Sequence, residues 1–310
     1  MADDRAATAR PAEPGVPRAE PDGTGLIVVA NAGAGNRLRA ASARRLRRAL
    51  PGVRIMVAGS GEDLPATLRR ATADARVLGV AGGDGSASAA ATVAVGAGLP
   101  LAVVPTGTLN HLATDLGIER IEDAARAIAD GQTIRMDLGE IDGRRFVNAA
   151  SIGVYPDLIV ARERLEPRIG KWPATAWGTM RILFGHRPIE LRIDGRRRRV
   201  WFVFVGNGRF VAEGLAPSRR ARLDDGVLDV RLVHAERSWA RTWVALSLLT
   251  GRLGRCRSYE RWIAARLEVD SDLPWLQLAS DGETWRGSGS FVVRSRPRAL
   301  VVMQPRPPRT

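Results

Sequence analysis

Three glycine-bearing segments stand where a strand gives way to a helix, and their residue types suit phosphate. The most informative is Val80-Ala81-Gly82-Gly83-Asp84-Gly85-Ser86. Glycines at such a junction let backbone N–H groups approach phosphate oxygens with no Cβ in the way. The following helix N-terminus adds a favourable dipole. Asp84 cannot touch a phosphate directly without charge repulsion, so it fits a Mg2+ or water-mediated contact. A tight turn whose aspartate caps its own helix is the plainer alternative. The next segment, Pro105-Thr106-Gly107-Thr108-Leu109-Asn110, brings a hydroxyl, a glycine and a carboxamide to a neighbouring strand end. An earlier one, Asn31-Ala32-Gly33-Ala34-Gly35-Asn36, adds a third loop. Ligands of open parallel sheets bind beyond the carboxyl ends of the strands. The three loops therefore predict one phosphate-binding rim made by Asn31, Ala32, Gly33, Ala34 and Gly35, by Gly82, Gly83, Asp84, Gly85 and Ser86, and by Gly107, Thr108 and Asn110.

Other phosphate chemistries are excluded. The full G-x-G-x-x-G spacing is missing, which disfavours a dinucleotide dehydrogenase, and no G-x-x-x-x-G-K-[ST] occurs. Lys171 is the sole lysine, so no P-loop lysine is available. His111, His186 and His234 lack metal-ligand spacing. Cys256 stands alone, which rules out an internal disulfide and points to a reducing compartment.

The elements that must position these loops alternate in type. Leu26 to Ala30 is a short apolar run suited to a buried parallel strand, and an Arg-rich segment with Leu38, Leu46 and Leu50 at helical spacing follows. Val53 to Val57, Val77 to Val80 and Leu101 to Val104 read as further strands. Between and after them come helices from about Pro65, over Ser86–Ala97, near Asn110–Leu116 and over Ile121–Asp130, the last ending at Gly131. This alternation predicts a doubly wound parallel sheet. After about residue 133, period-2 runs such as Glu190–Ile193 and Val200–Val205 take over, parted by Asp142-Gly143 and Asp194-Gly195, strong hairpin signals. The second half should be mostly antiparallel β, interrupted by helices near 168–184 and 237–251. The expected divisions are a disordered tail over 1–24, an α/β domain over 25–135, a β-domain over 136–303 and a tail over 304–310.

A chain of 310 residues has room for two domains. Lys and Arg outnumber Asp and Glu by 47 to 33, a formal +14. An anionic membrane or a nucleotide fits this charge better than nucleic acid, for which no recognition module is present. No apolar stretch precedes Leu26 and none reaches the roughly 20 residues of a spanning helix. The expectation is a cytoplasmic protein, soluble or peripheral at the inner face of the membrane, with room for a homodimer.

In ordered succession these motifs resemble the diacylglycerol kinase catalytic domain family, as in bacterial soluble lipid kinases and sphingosine kinases. The resemblance runs from about Leu26 to Met303 through Asn31–Gly35, Gly82–Ser86, Pro105–Asn110 with Leu116-Gly117-Ile118, Asp137-Leu138-Gly139, Phe146-Val147-Asn148, Gly206-Asn207-Gly208-Arg209, Asp224–Asp229 and Asp281-Gly282-Glu283. It implies an α/β nucleotide domain, a C-terminal antiparallel β-sandwich, an ATP·Mg2+ site between them and transfer of the γ-phosphate to a hydroxyl of diacylglycerol or a similar lipid. It also implies that Asp281 and Glu283 form the acidic pair that deprotonates the acceptor, and that Asp225, with the carbonyls of Arg222 and Val227, holds a structural Mg2+. From the residues alone, both Asp-Gly segments read equally as turns. Ser86 keeps the hydroxyl of the family's usual threonine, while Ser88, Ala89, His111 and Val57 depart from the pattern. An NAD kinase-like phosphotransferase and an inactive lipid- or nucleotide-binding protein are the rival readings.

A lipid acceptor raises the question of a membrane contact. Trp239, Trp243, Leu246, Leu249 and Leu253 recur at helical spacing among Arg237, Arg241, Arg252, Arg255 and Arg257. That pattern suits either an interfacial helix or packing on the β-domain. Residues 168–187, with Trp172 and Trp177, form a second candidate. The Arg196–Arg199 run reads as a solvated face attractive to anionic headgroups.

Overall fold

The computed structural model describes residues 10–11, 15–31, 36–59, 64–107, 110–153, 187–211, 220, 222–235, 240–249 and 252–306. Two compact units result, Met1–Leu138 with Pro297–Thr310, and Gly139–Arg296. The boundaries fall inside two strands, β6 (Gln132–Ile141) and β14 (Glu283–Met303). These compact units differ from the expected division at one end, where the segment from Pro297 onward groups with the first unit.

The first unit is built on parallel strands in the order β3 (Arg54–Ala58), β2 (Leu26–Asn31), β4 (Val77–Gly82) and β5 (Leu101–Pro105). Leu26 faces Val77, Leu78 faces Leu101, and Leu101 is paired in parallel with Val302 of β14. Strands buried on both faces are continuous apolar runs, as Leu26–Val29 and Leu101–Val104 are. Their crossover helices are α1 (Asn36–Ala49), α2 (Leu64–Ala71) and α3 (Asp84–Ala97). The short α4 (His111–Asp115) and α5 (Ile121–Asp130) follow β5. Helix α2 packs with α3, and α1 with α5. Gly131 ends α5 in the left-handed conformation, φ 60°, as its position after the last periodic residue predicts.

The described residues of the two expected tails make defined contacts. Arg10–Pro11 (β1) pairs with Gln132 and Thr133. Glu20 to Thr24 closes a hydrogen-bonded turn, and the Asp22 carbonyl accepts from Gly52 N–H at 2.8 Å. Beyond 303, Gln304 N–H donates to the Gln132 carbonyl at 3.0 Å.

The second unit is antiparallel. Its strands are β7 (Arg144–Phe146), β8 (Ala149–Gly153), β9 (Ile189–Ile193), β10 (Arg196–Asn207), β11 (Leu228–His234), β12 (Tyr259–Ala264) and β13 (Arg266–Ser280), with the first part of β14. They run β12-β11-β10-β8-β13-β14, and β9 bridges β10 and β13. Period-2 alternation divides β10 between two cores. Val203 and Val205 join Phe146, Ile152, Leu278 and Val293, while Phe202 and Phe204 join Phe210, Val233 and Leu253. Helix α6 (Ala240–Leu249) lies within the expected 237–251 and inserts Ala240 and Val244 into the second cluster. The helix expected near 168–184 lies outside the described residues.

Candidate active site

Where they are described, the residues of the expected rim lie together in the first unit. Asn31, the last residue of β2, donates through Nδ2 to Ser86 Oγ at 3.0 Å, joining the first loop to the second. The second and third loops meet backbone to backbone. A Cβ on Gly107 would lie 2.4 Å from Gly83 Cα, so glycine is required there for the two loops to approach. Thr106 N–H donates to the Gly82 carbonyl at 3.4 Å. Asn110, in the left-handed conformation at φ 50°, folds its carboxamide onto Gly107: Oδ1 accepts from Gly107 N–H at 3.0 Å and Nδ2 donates to the Gly107 carbonyl at 2.7 Å. Its side chain shapes the loop instead of reaching outward.

Asp84 works across the rim. Its carboxylate accepts from the N–H groups of His111 and Leu112, each at 3.2 Å, and lies 3.3 Å from His111 Nδ1. It therefore caps α4, not its own helix, and staples the second loop to the third. Burial pushes the Asp84 carboxyl up, but the hydrogen bonds from His111 and Leu112 outweigh it and hold the group below its ordinary value. With Asp84 turned to α4, helix α3 begins at Gly83 with no side-chain cap. Gly85 and Ser86 follow in its first turn, where backbone N–H donors and the helix dipole favour an anion. Ala32, Gly33, Ala34, Gly35 and Thr108 lie outside the described residues.

The acidic turn belongs to the second unit. Asp281 and Gly282 join β13 to β14 with φ of 46° and 91°, the left-handed conformations of a tight hairpin turn. The Asp281 carboxylate grips three successive backbone N–H groups: Val147 at 2.6 Å, Asn148 at 2.9 Å and Ala149 at 3.1 Å. The Asp281 N–H returns a bond to the Ala149 carbonyl at 3.1 Å. Glu283 opens β14 beside Ser280 and is exposed. Val147 and Asn148 of the motif Phe146-Val147-Asn148 thus supply two of the three donors that hold Asp281, and Ala149 supplies the third. Two residues act on the same segment from the other side. Asn207 Nδ2 and Arg220 Nη1 both donate to the Val147 carbonyl, at 2.9 and 2.8 Å. Sequence reasoning included Asn207 in a motif but missed Arg220, one arginine among many with no local signal.

The proposed cation residues also converge. Asp225 Oδ2 accepts from Arg209 N–H at 3.1 Å, and its buried Oδ1 has no hydrogen-bond partner. A Cβ on Gly208 would lie 3.2 Å from the Arg222 carbonyl oxygen and 3.5 Å from Asp225 Oδ1, so glycine keeps the space between these oxygens open. The Val227 carbonyl accepts from Gly208 N–H at 2.9 Å. An orphaned carboxylate oxygen beside carbonyls fits a hard divalent cation. Among the described residues no three His, Cys, Asp or Glu side chains converge as a metal site, at this place included.

Fold and site define a class: proteins in which a parallel α/β unit with glycine-rich strand ends precedes an antiparallel β-unit. Residues 25–141 match the diacylglycerol kinase catalytic domain, and 157–304 match the YegS C-terminal NAD kinase beta sandwich-like domain. A Pseudomonas aeruginosa PAO1 protein named "Probable lipid kinase YegS-like" is 30% identical, the match covering 83% of this chain and 84% of that one. A relative of the same name from Pseudomonas syringae pv. tomato is 30% identical over 72% of this chain and 74% of its own. Two solved structures from Bacillus anthracis str. Sterne share the fold with TM-scores of 0.70 and 0.64 at 18% and 17% identity, each match covering 90% of this chain and 96% of theirs; the second is described as a diacylglycerol kinase. The chain belongs to the diacylglycerol kinase catalytic domain family, in its YegS-like branch.

Proposed function

We propose that the chain is an ATP- and Mg2+-dependent lipid kinase that transfers the γ-phosphoryl group of ATP to a hydroxyl of diacylglycerol or a related lipid alcohol, releasing ADP and a phosphatidic-acid-type product. The observation that carries this reading is the meeting of the second and third glycine loops at the uncapped start of α3. Backbone donors and a helix dipole there suit nucleotide phosphates. Arg222, Asp225 and Val227 would hold a divalent cation through one carboxylate and two carbonyls, and a cation so bound supplies positive charge that ties these oxygens together.

On the acceptor side, the lipid hydroxyl oxygen attacks the γ-phosphorus, the bond to the β-phosphate oxygen breaks, and the hydroxyl proton passes to a carboxylate. Phosphoryl transfer runs through a loose transition state in which positioning matters more than basicity. Asp281 suits that demand: three backbone donors fix its carboxylate. Glu283 is its exposed partner in the same turn.

The same reading places the substrate in a bilayer, and we infer that α6 meets it. Ala240 and Val244 are buried, which leaves Trp243 (61% exposed) and Leu246 (48%) facing outward. Arg252, Arg255 and Arg257 follow and are exposed, and between Arg237 and Tyr259 the sequence has no acidic residue. An apolar, tryptophan-bearing face with arginines alongside complements an anionic lipid surface.

Purified protein with radiolabelled ATP and vesicles containing diacylglycerol should yield a labelled lipid. Asp281→Asn should lower turnover by about 10²-fold or more. Label appearing in NAD and not in lipid would replace this reading with that of an NAD kinase.

A further inference from the structure

Arg220 carries an inference beyond the proposed reaction, although its catalytic consequence rests on that reading. The residue is only 8% exposed, and a guanidinium so buried must have its N–H groups hydrogen-bonded. Nη1 donates to the carbonyls of Val147 at 2.8 Å and Asn207 at 3.2 Å, and Nη2 donates to Asn148 Oδ1 at 3.2 Å. The guanidinium carbon lies 5.9 Å from the Phe210 ring centroid.

The Val147 carbonyl and the Asn148 N–H belong to one peptide group. That N–H donates to Asp281 Oδ1 at 2.9 Å. A single peptide group is therefore held by a cation at its oxygen and by a carboxylate at its hydrogen. Both charges polarise it in the same sense, so each hydrogen bond strengthens the other in this low-dielectric setting. The neighbouring N–H groups of Val147 and Ala149 complete the grip on the carboxylate.

We propose that Arg220 is a positioning residue for Asp281, acting alongside Asn207 through the peptide group that joins Val147 to Asn148. It sets the angle at which the carboxylate is presented and takes no part in proton transfer.

The test uses the full chain and two independent readouts. In Arg220→Gln, hydrogen exchange at the amides of Val147, Asn148 and Ala149 should quicken, while exchange in α3 and β4 stays at the wild-type rate. With saturating ATP and diacylglycerol vesicles, kcat should fall about 10- to 10²-fold with KM for ATP unchanged. Arg220→Ala should regain activity when guanidinium chloride is added at low millimolar concentration, which a merely destabilised protein would not do. Arg220→Lys, which keeps the charge, covers the case in which the smaller variants fail to fold: it should lose less kcat than Arg220→Gln. Unchanged exchange at the three amides overturns the inference whether or not the wild type is active. Quickened exchange with undiminished kcat overturns it as well. A wild type that phosphorylates no lipid defeats the kinase reading instead, and the exchange result then shows that the Arg220 link itself was not what failed.

Discussion

At the scale of single residues, the Gly83–Gly107 contact separates two similar substitutions. A Cβ on Gly107 would stand 2.4 Å from a backbone Cα, where nothing flexible can give way, whereas a Cβ on Gly83 would meet Gly107 Cα at an ordinary 3.6 Å. Gly107→Ala should therefore cost about 1–3 kcal/mol of stability and weaken binding of a fluorescent ATP analogue, while Gly83→Ala should leave the thermal midpoint close to wild type. Equal effects of the two would contradict the described contact. The glycines were legible as types because turn chemistry is local. The partners of the carboxylates were not. Asp84 finds its donors 27 and 28 positions away, and Asp281 finds its own 132 to 134 positions away. The spacing of Asp281-Gly282-Glu283 cannot reveal that its first member grips the backbone while its last stands exposed.

At the scale of elements, β11 places Asp229 and Arg231 two residues apart on one face of the strand. Both are fully buried, and Arg261 of β12 bonds the same carboxylate, which also receives Phe210 N–H. Helix α6 shows how far periodicity could be read. Its existence and its two-sided character were evident, but the choice between packing and exposure depended on which residues met the β-unit. The answer is a division, with Ala240 and Val244 inward and Trp243 outward. Trp239 and the side chain of Leu249 lie outside the described residues, as do residues 168–186 of the other candidate stretch. Trp243→Ser should reduce co-sedimentation with phosphatidylglycerol vesicles several-fold without moving the thermal midpoint. In the proposed contact the arginines supply part of the attraction, so wild-type binding should weaken as salt rises. Equal binding by the variant would remove α6 from the contact.

At the scale of the whole molecule, Glu140 is one of several carboxylates held below their ordinary values and contributes part of the acid sensitivity. Burial pushes the Glu140 carboxyl up, but the hydrogen bonds and charges of Arg296 and Arg294 more than offset it, so the group sits below its ordinary 4.5. A depressed folded value means that its stabilisation is complete above 4.5 and is lost as pH falls through the folded value. Glu140→Gln should lower stability at pH 7 by about 1–2 kcal/mol, and thermal unfolding at pH 3 should show a smaller gap between variant and wild type. The two-unit plan itself was legible, because alternating strands and helices give way to Asp-Gly hairpins at about residue 133. The return of the C-terminal segment was not, since a single apolar run does not say which sheet it joins.

That return has a consequence for order of assembly. Val302 supplies the parallel neighbour of Leu101, and Gln304 bonds Gln132. The sheet begun by β2 to β5 thus waits for residues that are synthesised only after the whole stretch from Gly139 to Arg296. The unit from Gly139 to Arg296 is one uninterrupted stretch whose strands all emerge beforehand. Birth and completion run in opposite directions: the half made first is finished last.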